Sequence, residues 1–168
     1  MDQATGTTMA ALFARGEAVA ARLVARRETV AVAEGSAGGL IAAALLAVPG
    51  ASAYFLGGGV IYTPRARHRL LGLTRDDVQG FTSATEPFAA LMAAHIRRQL
   101  GADWGLAETG AAGPTGNPYG HPAGHAALAV AGAMPMAQTL ETGVGDRLGN
   151  MIAFAAATLA LFETALAG

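Results

Sequence analysis

Between Thr8 and Arg27 the apolar residues Leu12, Val19, Leu23 and Val24 recur at helical spacing, with Arg15, Arg22 and Arg26 on other faces. That pattern predicts an amphipathic helix. The period then changes. Thr29 to Ala33 is a short apolar run containing β-branched residues, expected as a buried strand. It enters Glu34-Gly35-Ser36-Ala37-Gly38-Gly39 and then a helical stretch, Leu40 to Ala47, that stops at Pro49-Gly50. Strand, glycine-rich turn and helix make the first half of a crossover unit.

Tyr54 to Tyr62 carries Phe55, Val60 and Ile61 around Gly57-Gly58-Gly59; a strand is expected to begin near Gly59, with the glycines as a turn or bulge. Thr63-Pro64 reads as an N-cap followed by proline at the first helical position, opening a helix over Arg65 to Leu71 that ends at Gly72. Asp76 to Gln79 predicts a short helical turn. Glu86 to Leu100 predicts a helix with Phe88, Leu91, Met92 and Ile96 on one face, ended by Gly101. Trp104 to Thr109 is a further expected strand. The run Gly110 to Gly120 holds too much Gly and Pro for regular structure and reads as a shaped loop. Ala126 to Val130 and Met136 to Thr142 form an expected hairpin around Gly132, and Asp146 to Ala165 the closing helix. The order of elements predicts an α/β fold, a three-layer α/β/α sandwich with a mixed sheet, occupying residues 1–168 as a single domain.

Composition narrows the chemistry more than the fold. The 168 residues carry a formal net charge of -1, which gives no support for nucleic-acid binding. There is no cysteine, so a disulfide framework, a thiolate nucleophile and a Cys-based zinc site are excluded. All 11 basic residues are arginine. Met1 to Ala20 has no uninterrupted apolar block of signal-peptide form, and Met151 to Phe162 is too short to span a bilayer. A cytoplasmic protein without a membrane partner is expected.

Four segments hold the candidate chemistry. In the first, Glu34 to Leu40, a glycine turn at a helix N-terminus presents backbone N–H groups suited to a phosphate or oxyanion, with Ser36 as a hydrogen-bond donor or nucleophile; alternatively, the glycines serve only close helix–strand packing. The second, Tyr62 to Gly72, brings Arg65, Arg67, His68 and Arg69, which do not share one helical face. The third is the Gly110 to Gly120 loop with Thr109 before it. The fourth is Gly145-Asp146-Arg147, where Asp146 would cap the last helix and Arg147 would reach an anion. His121 and His125 have the spacing of paired metal ligands, but they flank Pro122-Ala123-Gly124 rather than sit on a helix and lack a third ligand. No metal and no cofactor are expected.

In this order the segments resemble the C-terminal domain of the CinA (competence/damage-inducible) family, whose best-known activity is deamidation of nicotinamide mononucleotide. The family pattern Ala-Glu-Ser-x-Thr-Gly-Gly is similar to Ala33-Glu34-Gly35-Ser36-Ala37-Gly38-Gly39 here. Pro-Gly-(Ala/Ser)-Ser is met by Pro49-Gly50-Ala51-Ser52, Gly-x-Val-x-Tyr by Gly58-Gly59-Val60-Ile61-Tyr62, and Leu-Gly by Leu71-Gly72. The loop Thr-Gly-Ile-Ala-Gly-Pro-x-Gly-Gly resembles Thr109-Gly110-Ala111-Ala112-Gly113-Pro114-Thr115-Gly116-Asn117. Lys-Pro-Val-Gly resembles His121-Pro122-Ala123-Gly124, and Gly-Asp-Arg is present as Gly145-Asp146-Arg147. Some relatives carry an additional N-terminal domain similar to molybdopterin-binding proteins, a segment this sequence does not contain.

The departures concern the reacting groups. By the resemblance, the family's nucleophilic serine falls on Gly35, its threonine on Ala37 and its lysine on Arg67. A Ser–Lys mechanism needs a neutral amine that takes the serine proton and returns it to departing ammonia; a guanidinium stays protonated in proteins and cannot. The resemblance therefore implies a retained pocket for a small phosphorylated nucleotide such as nicotinamide mononucleotide, with hydrolysis impaired or altered. Its candidate catalytic residues are Ser36, Tyr62 and Arg67, and its ligand-binding residues Glu34, Gly38, Gly39, Thr109, Gly110, Gly113, Pro114 and Arg147. One alternative is an active amidohydrolase using Ser36 or an activated water, with His68 or Glu34 as base. Another is a non-catalytic partner-binding module. A homodimer is expected from the resemblance alone.

Overall fold

The computed structural model describes residues 6–168, so the first five residues of the stretch weighed as a leader lie outside it. The elements run α1 (Met9–Arg26), β1 (Val30–Glu34), α2 (Leu40–Leu46), a 3-10 turn (Ala51–Ala53), β2 (Phe55–Val60), α3 (Pro64–Leu71), α4 (Glu86–Leu100), β3 (Trp104–Ala111), β4 (His125–Ala131), β5 (Met136–Glu141) and α5 (Arg147–Ala167). The strands form one mixed sheet in the order β2-β1-β3-β4-β5. β1 pairs in parallel with β2 and β3, while β4 and β5 complete the sheet antiparallel. Helices cover both faces, giving the three-layer α/β sandwich expected from the sequence.

Strand alternation assigns the two faces different work. Val30, Val32, Leu106, Leu128 and Val130 pack toward α1, α2 and α5. Ala31, Ala33, Ala107, Ala127 and Ala129 face the other way, against Phe88, Met92 and Ile96 of α4. An alanine face lets a helix backbone come close to the sheet. The closest approach is at Gly105, where an added Cβ would sit 2.1 Å from the Ala93 carbonyl oxygen and 2.7 Å from the Arg97 Cβ. Backbone cannot yield as a flexible side chain does, so Gly105→Ala is expected to cost about 1–3 kcal/mol. A lowered urea midpoint with an unchanged m-value checks it.

The capping signals translate directly. Thr63 accepts from the Ala66 N–H at 3.1 Å, Pro64 opens α3, and Gly72 and Gly101 close α3 and α4 in the left-handed conformation. Asp146 occupies the N-cap position of α5, but its side chain makes no capping hydrogen bond. Asp76 to Gln79 forms hydrogen-bonded turns rather than a helix.

The glycine triplet departs from expectation. Gly57, Gly58 and Gly59 lie inside β2, which ends at Val60 instead of beginning near Gly59. The register with β1 slips before them, between Val30 and Ala31. A Cβ on Gly58 would fall 2.5 Å from the Val32 carbonyl oxygen, so a side chain is sterically excluded at this position of the strand. α5 also exceeds the apolar stretch read from Met151 to Phe162: at 21 residues it is long and apolar enough to cross a membrane. Here Phe154, Leu159 and Phe162 bury it against the sheet as a core helix.

Candidate functional site

The chain reverses its direction of travel across the sheet between β1 and β3: the connection after β1 leads to β2 on one side, and the next returns past β1 to β3 on the other. In open α/β sheets, ligands bind at such a switch point, beyond the carboxyl ends of the strands. Glu34 and Glu108 are register partners at those ends of β1 and β3, and both are buried.

These two carboxylates take up the N–H groups of Gly35, Ala37 and Gly39 in the glycine-rich turn. One oxygen of Glu108 accepts from the Gly35 N–H at 3.1 Å and the Ala37 N–H at 2.7 Å, and its other oxygen accepts from the Ser36 hydroxyl. Glu34 accepts from the N–H groups of Gly39, Ile41 and Ala42 at 2.7, 3.1 and 2.9 Å, closing the start of α2. The anion site expected at this turn is therefore filled by the protein's own carboxylates, and neither Glu34, Gly38 nor Gly39 lines the cavity described below. Ser36 is 6 % exposed and directed at Glu108. Glu108 was missed in the sequence; an acid near the end of the otherwise apolar strand Trp104–Ala111 was the available signal.

Burial pushes the Glu108 carboxyl up to about 7, against the lowering effect of its three donors and with a further upward push from Glu34. Glu34 is raised by burial too, opposed by its backbone donors. A carboxyl raised in the fold stabilises fully below its unfolded value near 4.5, and that stability disappears as pH climbs through the folded value. Between pH 5 and 7.5 the unfolding free energy should therefore decline, with ~1.4 kcal/mol per pH unit as a ceiling for one group. His121, lowered chiefly by burial, has the opposite slope near its ordinary value and tempers the decline. Urea titrations across that range measure it.

Beside the turn lies a cavity of ≈ 120 Å³, lined by Ile61 and Tyr62, by Arg67 of α3, by Phe88 of α4, and by Thr109 and Gly110 of β3. Arg67 stands 5.7 Å from the Phe88 ring centroid, a cation–π position, and its Nε is buried without a hydrogen-bond partner. Arg147 reaches over from the start of α5: Nη1 donates to the Gly113 carbonyl at 2.6 Å and Nη2 to the Tyr62 hydroxyl at 3.1 Å. It holds the Gly113-Pro114 loop near Tyr62, although neither Gly113, Pro114 nor Arg147 itself lines the cavity. The buried Asn150 secures the same loop by donating to the carbonyls of Ala112 and Val144 at 2.7 and 2.8 Å. Asn117 shapes the far side, accepting from the N–H groups of Tyr119 and His121. Neither asparagine has a periodicity or spacing that marks it in the sequence.

His121 and His125 do meet, as rings stacked 4.0 Å apart. Both nitrogens of His125 are engaged, one with Glu141 and the other with the Ala84 carbonyl at 2.7 Å. That leaves His125 no free lone pair for a metal, and among the described residues no three His, Asp or Glu side chains are grouped to hold one.

The model of the CinA C-terminal domain family matches residues 13–166. The chain belongs to this family. A CinA-like protein of Anaeromyxobacter sp. (strain K) is 42% identical over 131 residues, covering 78% of this chain and 32% of that protein. One from Gloeothece citriformis is 36% identical over 120 residues, 71% of this chain and 29% of that protein. The chain thus spans about a third of the length of these curated relatives. Solved crystal structures share its fold, two of them as follows. The competence/damage inducible protein of Agrobacterium tumefaciens has a TM-score of 0.84 at 26% identity, covering 92% of this chain and 94% of that one. A CinA superfamily protein of Klebsiella pneumoniae has a TM-score of 0.85 at 27% identity, covering 93% and 98%.

The three positions that the resemblance sets against the family's reacting groups have distinct surroundings. Gly35 lies against the backbone of Ile61, Glu108 and Thr109; Ala37 is buried in the core beneath α2; Arg67 lies on the cavity wall.

Proposed function

We propose that this CinA-family chain keeps a small nucleotide-like pocket but lacks the Ser–Lys route to amide hydrolysis, so that cleavage of the nicotinamide amide is impaired or altered. The observation that carries this reading is Arg67, a permanent cation on the wall of the cavity that Ile61 and Thr109 share. It occupies the position where the resemblance calls for a neutral amine, and the sequence contains no lysine to replace it. With Gly35 at the serine position, proton acceptor and nucleophile are both gone. A guanidinium with an unpaired nitrogen retains the capacity to bind phosphate.

The test is paired: thermal unfolding with nicotinamide mononucleotide, and ammonia release from it. Stabilisation without ammonia is expected. Arg147→Ala should weaken nucleotide binding by about tenfold, since Tyr62 and the Gly113-Pro114 loop lose their tie. The exposed position of Arg147 should keep the change in unliganded stability within about 0.5 kcal/mol.

One observation favours a second reading. The Ser36 hydroxyl donates to Glu108, whose raised carboxyl is poised near neutrality as a proton acceptor. If that pair performs hydrolysis, ammonia appears with the unaltered chain and vanishes in Ser36→Ala. The buried position of Ser36 outside the cavity lining weighs against it. Neither stabilisation nor ammonia would leave the partner-binding role.

A further inference from the structure

The cavity beside Thr109 is small for a nucleotide. Its ≈ 120 Å³ falls below the ~300 Å³ at which ligand pockets usually begin, and suits one aromatic ring. It does not end there. Pro64, Arg67, Ser83 and Tyr119 are shared with a second, larger cleft of ≈ 680 Å³ on the outer side of α3. Arg67 is thus a partition between the two spaces, and Arg75, Asp76, Gln79 and Phe81 beyond it do not line the smaller cavity.

Those groups form a coherent set. Arg75 is a second cation on the cleft wall, and it lies together with Arg67 along a third recess beside His68. Phe81 and Tyr119 also line the cleft and remain 40% and 52% exposed, offering aromatic surface to a flat partner. Gln79 and Ser83 supply donors and acceptors for polar edges. Asp76 is the one acidic residue among the lining residues of the cleft; a carboxylate there would accept from hydroxyl or amino groups and would be repelled by a phosphate, so the anion belongs near Arg67 and Arg75. Cations that match phosphate oxygens, followed by aromatic faces and amide or hydroxyl groups, are what the linked phosphates and base of a nucleotide require.

We infer that the site is bipartite and takes a pyrophosphate-linked dinucleotide, with one ring in the cavity at Thr109, the pyrophosphate across Arg67 and Arg75, and the second base against Phe81 and Tyr119. This inference rests on the pocket reading proposed above and extends it to a ligand about twice as long.

Calorimetric titration of the full chain with nicotinamide mononucleotide, nicotinamide adenine dinucleotide and adenosine diphosphate tests it. The dinucleotide should bind about tenfold or more tightly than the mononucleotide. Arg75→Ala and Phe81→Ala, both outside the smaller cavity, should each remove most of that advantage while leaving mononucleotide affinity within about twofold. Equal affinity for the two ligands, or an advantage insensitive to both substitutions, overturns the bipartite site while leaving the pocket reading intact. Adenosine diphosphate bound in an Arg75-dependent manner, with no mononucleotide binding, upholds the outer subsite and sinks the pocket reading. If no probe binds, both fall.

Discussion

Gly35→Ser combined with Arg67→Lys is expected to release ammonia from nicotinamide mononucleotide at least ~10²-fold faster than the unaltered chain, a gain typical of installing general acid–base catalysis. The backbone is already prepared for the serine. A Cβ at residue 35 would meet the carbonyl oxygens of Glu108 and Ile61, each at 3.4 Å, and the Thr109 Cα at 3.9 Å, which are ordinary contacts. Those neighbours include two cavity-wall residues, Ile61 and Thr109, so the new hydroxyl would be introduced at that wall. The lysine would enter from α3 at the position of Arg67, where desolvation and the nearby Arg75 favour a neutral amine, against the pull of the Phe88 face and Asp76 toward the charged form. Neither change should suffice alone: serine without a base, or an amine without a nucleophile, leaves proton transfer incomplete. A doubly altered protein that folds and binds the nucleotide, yet liberates no ammonia, would show that the missing chemistry lies elsewhere than in these two residues.

The elements were legible where local rules decide them. The Thr63-Pro64 start, the Gly72 and Gly101 stops and the short apolar run of β1 depend on neighbours in sequence, and each reappears in the fold, the last as a strand buried throughout. What failed were features set by residues far apart. Gly57 to Gly59 carry a turn-like composition, but the approach of Val32 makes Gly58 the residue this strand position requires. The glycine-rich turn offered N–H groups of the kind that bind anions, and it does bind anions: they are Glu34, from the preceding strand, and Glu108, some seventy residues away. No local pattern announces that pairing, because it arises only when β1 and β3 align in parallel register. The same distance effect hides the cleft at Arg75 and Phe81 from any local pattern.

Glu108→Ala is expected to be among the most damaging single substitutions in the chain, lowering stability by about 3–5 kcal/mol, or roughly 6–20 °C in Tm. Its carboxylate is the common acceptor for two backbone N–H groups and the Ser36 hydroxyl, and it is wholly inaccessible to solvent. Alanine would orphan the Ala37 N–H and the Ser36 hydroxyl in a buried site, while the Gly35 N–H would keep the backbone carbonyl of residue 108 at 3.0 Å. Glu108→Gln should behave differently. Its amide oxygen can accept from both Gly35 and Ala37, since these two N–H groups converge on one carboxylate oxygen. Its NH₂ would replace the other oxygen and donate to the Ser36 hydroxyl. Both backbone donors remain satisfied, the Ser36 hydroxyl turns from donor to acceptor and its own proton loses this partner, and the titrating group is gone. The glutamine protein should therefore fold with near-native stability at pH 5 and lose most of the decline toward pH 7.5 that the raised Glu108 carboxyl imposes. A glutamine variant with an undiminished slope would assign the titration to Glu34 instead. A well-folded alanine variant would mean that the turn does not depend on this carboxylate, and with it would go the explanation of why the Gly35 and Ala37 N–H groups are turned inward rather than toward a ligand.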